Sequence, residues 1–472
     1  MAVLEIEERE SVEESLGSSS HHRQDTELSF RSKIGFAVLI LLASAEFVVR
    51  GPIRFLRGGD LNDFTSPYVQ TRLLLRGMDP YSTQNLVADW PEGAQRPEFI
   101  DRELADNSLT VNRGIPTAYP PTCFLLLIPF VLLPWKVAGI VWISFSLLLV
   151  LWLIHSLAKL AGRSQGQHYL FAALALALAP WHSGLATGAI GIPAIALCGL
   201  AWVDALEGKD FCAGILLGIA AGLKPQIGLP FLLFYVLRKR WRVSGFGLAL
   251  VVVAGFAALA YLGLTKTPWV ANYLSDNHVL LQTGILSDFT ERNPLRFGLV
   301  NLQVLFYALL KHPAIVNILA AALTAAIFLI LLWRRTEDHL LELSSVAILS
   351  LLPVYHRFYD ASLLMLPLCW SLKEWSGPQR RFARVTLVLI LPFLVPGGSA
   401  LEQWWLSGQI SPMITQSWWW ISIVMPHQIW SMLAMSAIFL WALNWQGAQD
   451  RDYLHLDAPT AETSTLGAGR GV

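Results

Sequence analysis

Long stretches of the chain are apolar and contain no formally charged side chain. The stretches 137–158, 169–203, 243–264 and 313–333 each lack Asp, Glu, Lys and Arg. A helix of about 20 apolar residues spans the hydrocarbon core of a bilayer, because a helix satisfies its own backbone groups. A core helix of a soluble protein is seldom this long and apolar on every side. The pattern therefore predicts an all-α membrane protein with several spans.

The positions of the basic residues predict how the spans are threaded. Short basic loops stay in the cytoplasm, and four such loops follow apolar runs, at 159–163, 238–242, 334–335 and 373–384. With the N-terminus also inside, they predict about twelve spans. These fall near 34–50, 137–158, 168–181, 187–203, 211–223, 226–238, 243–264, 313–333, 340–354, 358–371, 384–396 and 424–445. We expect the shorter apolar pieces 120–134 and 295–310 to be half-inserted or re-entrant.

The same threading predicts a long extracytoplasmic first loop, 51–119. Within it, the mixed aromatic, leucine and arginine content of 63–77 (DFTSPYVQTRLLLRG) is typical of an interfacial helix lying along the headgroups. The acidic, serine-containing segment 1–33 and the polar segment 446–472 are predicted to be cytoplasmic tails, the first of them disordered. The segment 34–445 then forms the transmembrane domain, with an uncleaved first span.

Composition excludes some classes of function. Hydrophobic residues make up 54% of the chain and charged residues only 14%, too few charges for a water-facing surface. The formal net charge is zero, so nothing favours nucleic acid as a partner. The four cysteines lie in apolar segments without metal-ligand spacing and are interpreted as buried thiols. No nucleotide-binding glycine loop, HExxH pair or nucleophile elbow is present in the sequence.

Two aspartates follow the first predicted span and are candidates for catalysis. Asp60 and Asp63 are expected close to the outer membrane surface, where a carboxylate within hydrogen-bond reach of an alcohol can act as a general base. Two structural interpretations remain open. Either residue can be a solvated loop acid, and Asp63 can also cap the helix predicted to begin at Phe64.

Charged residues between apolar runs mark two further candidate positions. Lys224 lies between two predicted spans, in the sequence GLKPQ, and would suit a lipid phosphate. It can equally be a lysine that snorkels from a helix end. The turn 353–360 carries His356, Arg357 and Asp360, which could bind phosphate or sugar hydroxyls or form an ordinary polar turn. His155, His168 and His182 lie at span ends and are interpreted as interfacial.

Taken in order, these motifs resemble glycosyltransferase family 87, a group of GT-C enzymes that use polyprenyl-phosphate sugars. The resemblance rests on Asp63-Phe64 followed by Tyr68, on 74–81 (LLRGMDPY), on Tyr119-Pro120-Pro121, on Lys224-Pro225 and on 355–360 (YHRFYD). The segment 188–191 (GAIG) departs from the Gly-Gln-x-Asn pattern frequent in that family.

The resemblance implies a GT-C helical bundle and an inverting sugar transfer on the extracytoplasmic face of the plasma membrane. Asp63 would be the base, with Asp60 as the fallback, and His356 would contact the donor. Lys224 and Arg357 would offset the phosphate charge. The remaining residues that the resemblance assigns to the donor site are Asp360, Tyr68 and Tyr119.

The expected donor is a polyprenyl-phosphate hexose, typically mannose, and the expected acceptor is a glycolipid or envelope glycan. No cofactor and no metal ligand set are indicated, although the sequence leaves a divalent ion open. A transporter or lipid flippase is the alternative, but the chain shows neither a clear internal repeat nor the charged midplane positions typical of transporters.

Overall fold

The structure is a computed structural model that describes residues 29–57, 63–94, 119–162, 164–264, 266–282, 287–293, 295–334, 336 and 338–456. Within these residues the secondary structure is helical, and one isolated antiparallel bridge joins Leu299 to Arg357. The predicted all-α class is therefore confirmed for the described chain. Asp60 and most of the two predicted tails, residues 1–28 and 457–472, lie outside the described residues.

The first half of the chain forms eleven α-helices among the described residues. In chain order they are α1 (Phe30–Val48), α2 (Thr65–Leu75), α3 (Thr83–Ala88), α4 (Pro121–Val131), α5 (Trp135–Ala158), α6 (Gln165–Ala177), α7 (Ala179–Thr187), α8 (Gly191–Leu206), α9 (Asp210–Leu223), α10 (Pro225–Leu237) and α11 (Trp241–Leu264). Helix α1 continues to Leu56 through a π-helical turn (Val49–Ile53) that contains Pro52. A proline inside a helix removes one ladder hydrogen bond, which accounts for this irregular turn.

The second half continues with α12 (Trp269–Gln282), α13 (Leu302–Leu310), α14 (Pro313–Trp333), α15 (His339–Leu351), α16 (Met365–Lys373), α17 (Arg380–Ile390), α18 (Gly397–Leu406), α19 (Pro412–Thr415) and α20 (His427–Leu456). Short 3-10 helices cover Arg296–Gly298, Phe358–Leu364 and Leu391–Phe393, and a π-helical turn covers Trp420–Val424. Helix α20 extends beyond 445, so the predicted C-terminal tail begins as a helix.

Five helical segments in the described chain are long and apolar enough to cross a membrane. They are Phe30–Leu56, Trp135–Ala158, Trp241–Leu264, Pro313–Trp333 and Arg380–Leu406. The pair α6 and α7, bent by 45° at Leu178, would make a sixth. This supports a helical membrane protein, whereas the expected count of about twelve spans stays a prediction.

Several predicted spans form shorter helices that lie inside the protein. Helix α8 has 16 residues, almost all buried, and it packs against α5 and α9. Helix α9 packs in turn against α10 and α11. A helix that is apolar on all sides needs a nonpolar environment, and here much of that environment is other helices. By contrast, only 17% of the residues in the most apolar stretch of α11 are buried inside the protein, so most of the surface of α11 faces outward.

The predicted interfacial helix at 63–77 is wrong in one respect. Helix α2 forms there, but most of its residues are buried, among them Tyr68, Leu73 and Leu74, and it packs against α4. An interfacial helix would keep one face in water. The sequence pattern could not show that α2 packs against α4 and is mostly buried.

Candidate active site

Lys224 lies in the turn between α9 and α10 with its side chain almost completely buried. Its backbone is extended (φ −145°, ψ 90°), because the following proline disfavours helical geometry at Lys224 and then starts α10 as its first residue. The Lys224 Nζ contacts both carboxylate oxygens of Asp360, at 2.6 and 2.7 Å. It also lies 4.9 Å from the centroid of the Tyr359 ring. A buried ammonium is tolerated when it is paired in this way.

Asp360 brings the lysine and the turn 353–360 together. Besides Lys224, it accepts hydrogen bonds from the Nδ1 of His356 (3.0 Å) and the backbone N–H of Arg357 (3.3 Å). Because the ion pair with Lys224 keeps Asp360 ionised, its carboxylate only accepts, and Nδ1 of His356 must carry the proton. The His356 ring is fully buried, and its Nε2 has no hydrogen-bond partner among the described residues. Nε2 is therefore the atom of this histidine that is available to a substrate.

The turn itself is held by a neighbouring segment. The backbone N–H of Val300 donates to the carbonyl of His356 (2.9 Å), beside the bridge between Leu299 and Arg357. The Nε of Arg357 donates to the hydroxyl of Tyr355 (2.8 Å). These contacts fix both the imidazole and the guanidinium before any substrate binds.

Asp63 reaches the same cluster from the beginning of the first loop. Its backbone N–H donates to the carbonyl of Thr187 (2.6 Å). The next residue, Phe64, is fully buried and stacks on Trp142 with ring centroids 4.9 Å apart. Phe64, not Asp63, is the N-cap of α2, and no side chain caps the helix there. The interpretation of Asp63 as a helix cap is therefore wrong.

The carboxylate of Asp63 is close to the charged groups of the turn. It accepts a hydrogen bond from Tyr359, and it interacts electrostatically with Arg357, Lys224 and Asp360. Its Oδ2 is buried and has no hydrogen-bond partner among the described residues. Burial raises the pKa of Asp63 above its ordinary value, although Arg357, Tyr359 and Lys224 act in the opposite direction. A carboxylate with a raised pKa is, once deprotonated, a stronger base than a solvated aspartate.

Tyr119, at the start of α4, completes one side of the cluster. Burial, and after it the negative charge of Asp63, raises the pKa of Tyr119 well above its ordinary value. Its hydroxyl therefore keeps its proton and can donate a hydrogen bond. The backbone carbonyl of Tyr119 accepts from the hydroxyl of Tyr81 (3.1 Å), which fixes the start of α4.

The segment 188–191 (GAIG) lies directly against the ion pair. A Cβ at Gly191 would lie 2.7 Å from Oδ1 of Asp360 and 3.0 Å from Nζ of Lys224, closer than van der Waals contact allows. Gly188 has a positive φ (67°) after the end of α7, and its carbonyl accepts from the indole of Trp142 (2.9 Å). In this chain the space next to residue 191 is therefore occupied by the lysine–aspartate pair.

A cavity of about 340 Å³ adjoins Asp63 at Thr187. Arg50 and Arg54 from the end of the first helix line it, together with His182 of α7 and Gln403 of α18. His182 is only 2% exposed, so its interpretation as an interfacial residue is wrong. Arg50 pairs with Glu46 (2.6 Å), and Arg54 adds a further positively charged side chain to the lining.

The structure thus brings together most, but not all, of the predicted site residues. Asp63, Tyr119, Lys224 and the three charged residues of the turn form one cluster. Tyr68 lies apart from it, because its hydroxyl donates to the carbonyl of Leu133 (2.9 Å) and its ring packs against Trp135. No group of three or more His, Cys, Asp or Glu side chains suited to a metal ion occurs among the described residues.

Sequence reasoning missed three contributors to this site. Tyr355 and Tyr359 lie beside the charged residues of the turn in sequence. That position was the signal from which the sequence could have included them in the site. Thr187 contributes a backbone carbonyl, so its side-chain type carried no signal.

Comparison with known proteins identifies the family. The profile of Glycosyltransferase family 87 matches residues 117–354, half of the chain. The chain belongs to glycosyltransferase family 87. The match includes Tyr119, Gly191 and Lys224, whereas Asp63, His356 and Asp360 lie outside it.

Two curated relatives, from two strains of Mycobacterium tuberculosis, are each named Alpha-(1->3)-arabinofuranosyltransferase. Each is 26% identical to this chain over 299 residues, which is 61% of this chain and 61% of the relative. The chain thus aligns with less than two thirds of the length of these relatives. No solved structure matches the chain.

The chain is thus a member of glycosyltransferase family 87 with several helices long and apolar enough to cross a membrane. The predicted family is confirmed, and the sugar, the acceptor and the roles of individual residues are taken up below as proposals.

Proposed function

We propose that this family 87 enzyme transfers a sugar from a polyprenyl-phosphate donor to a glycolipid or glycan acceptor, with Asp63 as the general base. The observation that carries the proposal is the free Oδ2 of Asp63 beside the His356–Asp360–Lys224 cluster. A base and a group of cations side by side suit a reaction in which an alcohol loses a proton while a phosphate departs.

In the proposed reaction, the acceptor hydroxyl oxygen attacks the anomeric carbon of the donor sugar. The bond from that carbon to the phosphate oxygen breaks, and the polyprenyl phosphate leaves with the electron pair. The hydroxyl proton passes to Oδ2 of Asp63. Attack from the face opposite the leaving group inverts the anomeric configuration. A phosphate leaving group needs no general acid, because it is stable as an anion.

The ion pairs of the site suggest different tasks for its cations. Lys224 is already neutralised by Asp360, so we assign it mainly to positioning that carboxylate and, through it, His356. The free Nε2 of His356 would contact the donor, as a hydrogen-bond donor to the phosphate when the imidazole is protonated. Arg357 lies close to both Asp63 and Asp360 and would supply positive charge near the leaving phosphate.

The adjoining cavity of about 340 Å³ would hold part of a substrate. Its volume is within the range of small-molecule pockets in proteins. Arg54 favours an anionic group there, and a lipid-linked phosphate has one. We propose that this end of the molecule faces the extracytoplasmic side of the plasma membrane, in agreement with the threading from the basic loops.

Two sugars are candidates for the donor. The family resemblance in the sequence suggests a hexose, typically mannose. The name of the two relatives instead favours arabinofuranose. Both would be delivered as polyprenyl phosphate esters, so the same site chemistry would serve either one.

The test is sugar transfer by purified protein in lipid, using radiolabelled polyprenyl-phosphate mannose and polyprenyl-phosphate arabinofuranose in parallel. We expect one donor to support transfer and Asp63→Asn to reduce the rate by about a thousandfold. Asp63→Asn should still fold, because the hydrogen bond to Thr187 comes from the main chain.

Asp89→Asn is the matched control, since Asp89 lies in the same loop but pairs with Arg76. Equal transfer by wild type and Asp63→Asn would overturn the role of Asp63. Absence of transfer from both donors would count against both proposed sugars.

A further inference from the structure

A second polar cavity lies at the other end of the hairpin formed by α9 and α10, away from Lys224. Its volume is about 280 Å³, and we call it the basal cavity. It is lined by Trp202 of α8, Tyr235 of α10, the basic turn Arg238, Lys239 and Arg240, and Glu342 of α15. None of these residues takes part in the candidate active site.

The basal cavity lies where membrane-spanning helices begin and end. Arg238 donates to the carbonyls of Leu331 (3.3 Å) and Arg334 (3.0 Å), at the end of α14. Helix α11 begins immediately after the basic turn, and both α11 and α14 are candidate spans. This position corresponds to the boundary between the hydrocarbon core and water.

The charge of the lining is unbalanced. Arg238 pairs with Glu342, and Arg240 pairs with Asp210 (3.0 Å) at the base of the hairpin. Both arginines of the turn are therefore paired, which leaves Lys239 as the surplus positive charge among the three cations of the turn. Lys239 forms no ion pair with any described residue.

One lining residue, Trp202, has a hydrogen-bond donor without a partner among the residues that the structure describes. The Nε1 of Trp202 is buried and has no hydrogen-bond partner in the described part of the chain, and the whole residue is only 2% exposed. An indole N–H can only donate, so it needs an acceptor. Leaving such a donor buried without a partner is unfavourable, and an oxygen-rich ligand would supply the missing acceptor.

Exposed apolar side chains flank the basic turn and the end of α14 in sequence, and we call them the rim of the basal cavity. Leu237 is 43% exposed, Trp241 63% and Trp333 79%. Side chains of this kind at a membrane boundary contact acyl chains and headgroups. A ligand suited to both the rim and the lining has an anionic group attached to a hydrocarbon chain.

We propose that the basal cavity binds the phosphate group of an anionic membrane lipid, at the membrane face opposite the candidate active site. Lys239 offsets the charge of the phosphate beside the Arg238–Glu342 pair, and the indole N–H of Trp202 donates to one of its oxygens. Phospholipids and polyprenyl phosphates share this chemistry. The bound lipid would tie the base of the hairpin to the ends of α14 and α15.

The test is lipid retention by the full-length protein in neutral detergent, measured by native mass spectrometry. Phosphatidylglycerol, polyprenyl phosphate and zwitterionic phosphatidylcholine are offered separately to the wild type, Lys239→Asn and Trp202→Phe. Lys239 has a positive φ (58°), a geometry that asparagine tolerates, so Lys239→Asn removes the charge without new backbone strain. The matched control is Lys209→Asn, because Lys209 is exposed near the base of the hairpin and pairs with Glu207.

We expect the wild type to retain the anionic lipid over phosphatidylcholine, and Lys239→Asn to lower that retention by about fivefold. Trp202→Phe should lower it as well, and Lys209→Asn should not. Retention of both anionic lipids would show that the cavity accepts the phosphate of either lipid. Retention of only one would identify whether the ligand is a phospholipid or a polyprenyl phosphate.

Equal retention of all three lipids by the wild type would overturn the proposal. So would equal losses in Lys239→Asn and Lys209→Asn. If Trp202→Phe does not fold, Lys239→Asn still decides the question, because Lys239 is exposed. Since the readout is binding and not sugar transfer, its result is separate from that of the proposed function.

Discussion

A single buried carboxylate, Asp360, neutralises Lys224 and orients His356, so the charges of this cluster depend on one another. Removing one partner of a buried ion pair costs about 3–5 kcal/mol, because the other charge is left uncompensated. We expect Lys224→Met to destabilise the protein by about that amount, and Lys224→Met combined with Asp360→Asn to destabilise it much less. Thermal unfolding in detergent measures both.

Lys209→Met is the control, since Lys209 forms an exposed pair with Glu207. An exposed pair contributes little to stability, because water screens the attraction between its charges. If the single and double variants at the buried pair lost equal stability, the coupling between Lys224 and Asp360 would be absent.

The raised pKa of Asp63 leads to a prediction about pH. The base works when deprotonated, so activity falls as the pH falls through its pKa. Because burial raises this pKa, the acid limb of kcat/KM should lie above that of an ordinary aspartate. Tyr359→Phe removes a hydrogen bond that lowers the pKa, so the limb should move to still higher pH.

Tyr68→Phe is the matched control, because the Tyr68 hydroxyl bonds to Leu133 and not to the cluster. Its acid limb should coincide with that of the wild type. A pH profile unaffected by Tyr359→Phe would argue that Asp63 is not the titrating base.

At the scale of elements, the site depends on the close approach of the α8 N-terminus to the α9–α10 turn. A methyl group at Gly191 would press on both members of the ion pair. We expect Gly191→Ala to cost about 1–3 kcal/mol of stability and to lower sugar transfer by more than tenfold. Thermal unfolding and the transfer assay measure the two effects.

Gly245→Ala in α11 is the control, since nothing lies within 4 Å of a Cβ there. Alanine at this helical position should be neutral or stabilising. A fully active Gly191→Ala would show that the ion pair can shift without harm.

Local sequence patterns predicted the helices and turns of this site better than they predicted which charged side chains pair with each other. The apolar runs on both sides of Lys224, with the following proline, were enough to place this lysine at a turn between helices. Its partner Asp360 lies 136 residues away, and no local pattern encodes a contact over that separation. The sequence therefore suggested a phosphate as the partner of Lys224, whereas the structure pairs the lysine with a carboxylate.

The difference between local pattern and long-range packing also explains why the environment of some helices could not be predicted from the sequence. Helix α2 looked interfacial because its own sequence mixes arginine with leucine and tyrosine, and only its packing against α4 shows that most of it is buried. Helices α8, α9 and α10 were predicted as spans from apolar content. Apolar content shows that a helix lies in a nonpolar environment. It does not distinguish the interior of a helical bundle from lipid, because both select apolar residues.

At the scale of the whole molecule, the structure has two polar ends. One end carries Asp63 and the Lys224–Asp360 pair, and the other carries the basic turn around Arg238. The basic loops predict that the Arg238 end faces the cytoplasm. A cysteine at Glu207, near the basic turn, should then be labelled by an impermeant maleimide only after the cells are opened.

A cysteine at Glu92, in the first loop, should be labelled in intact cells. Both variants are made in a Cys212→Ser background, because Cys212 is the exposed cysteine among the four. Labelling in the opposite pattern would place the candidate active site in the cytoplasm. The donor would then have to present its sugar on the inner leaflet, and an acceptor outside the cell would be out of reach.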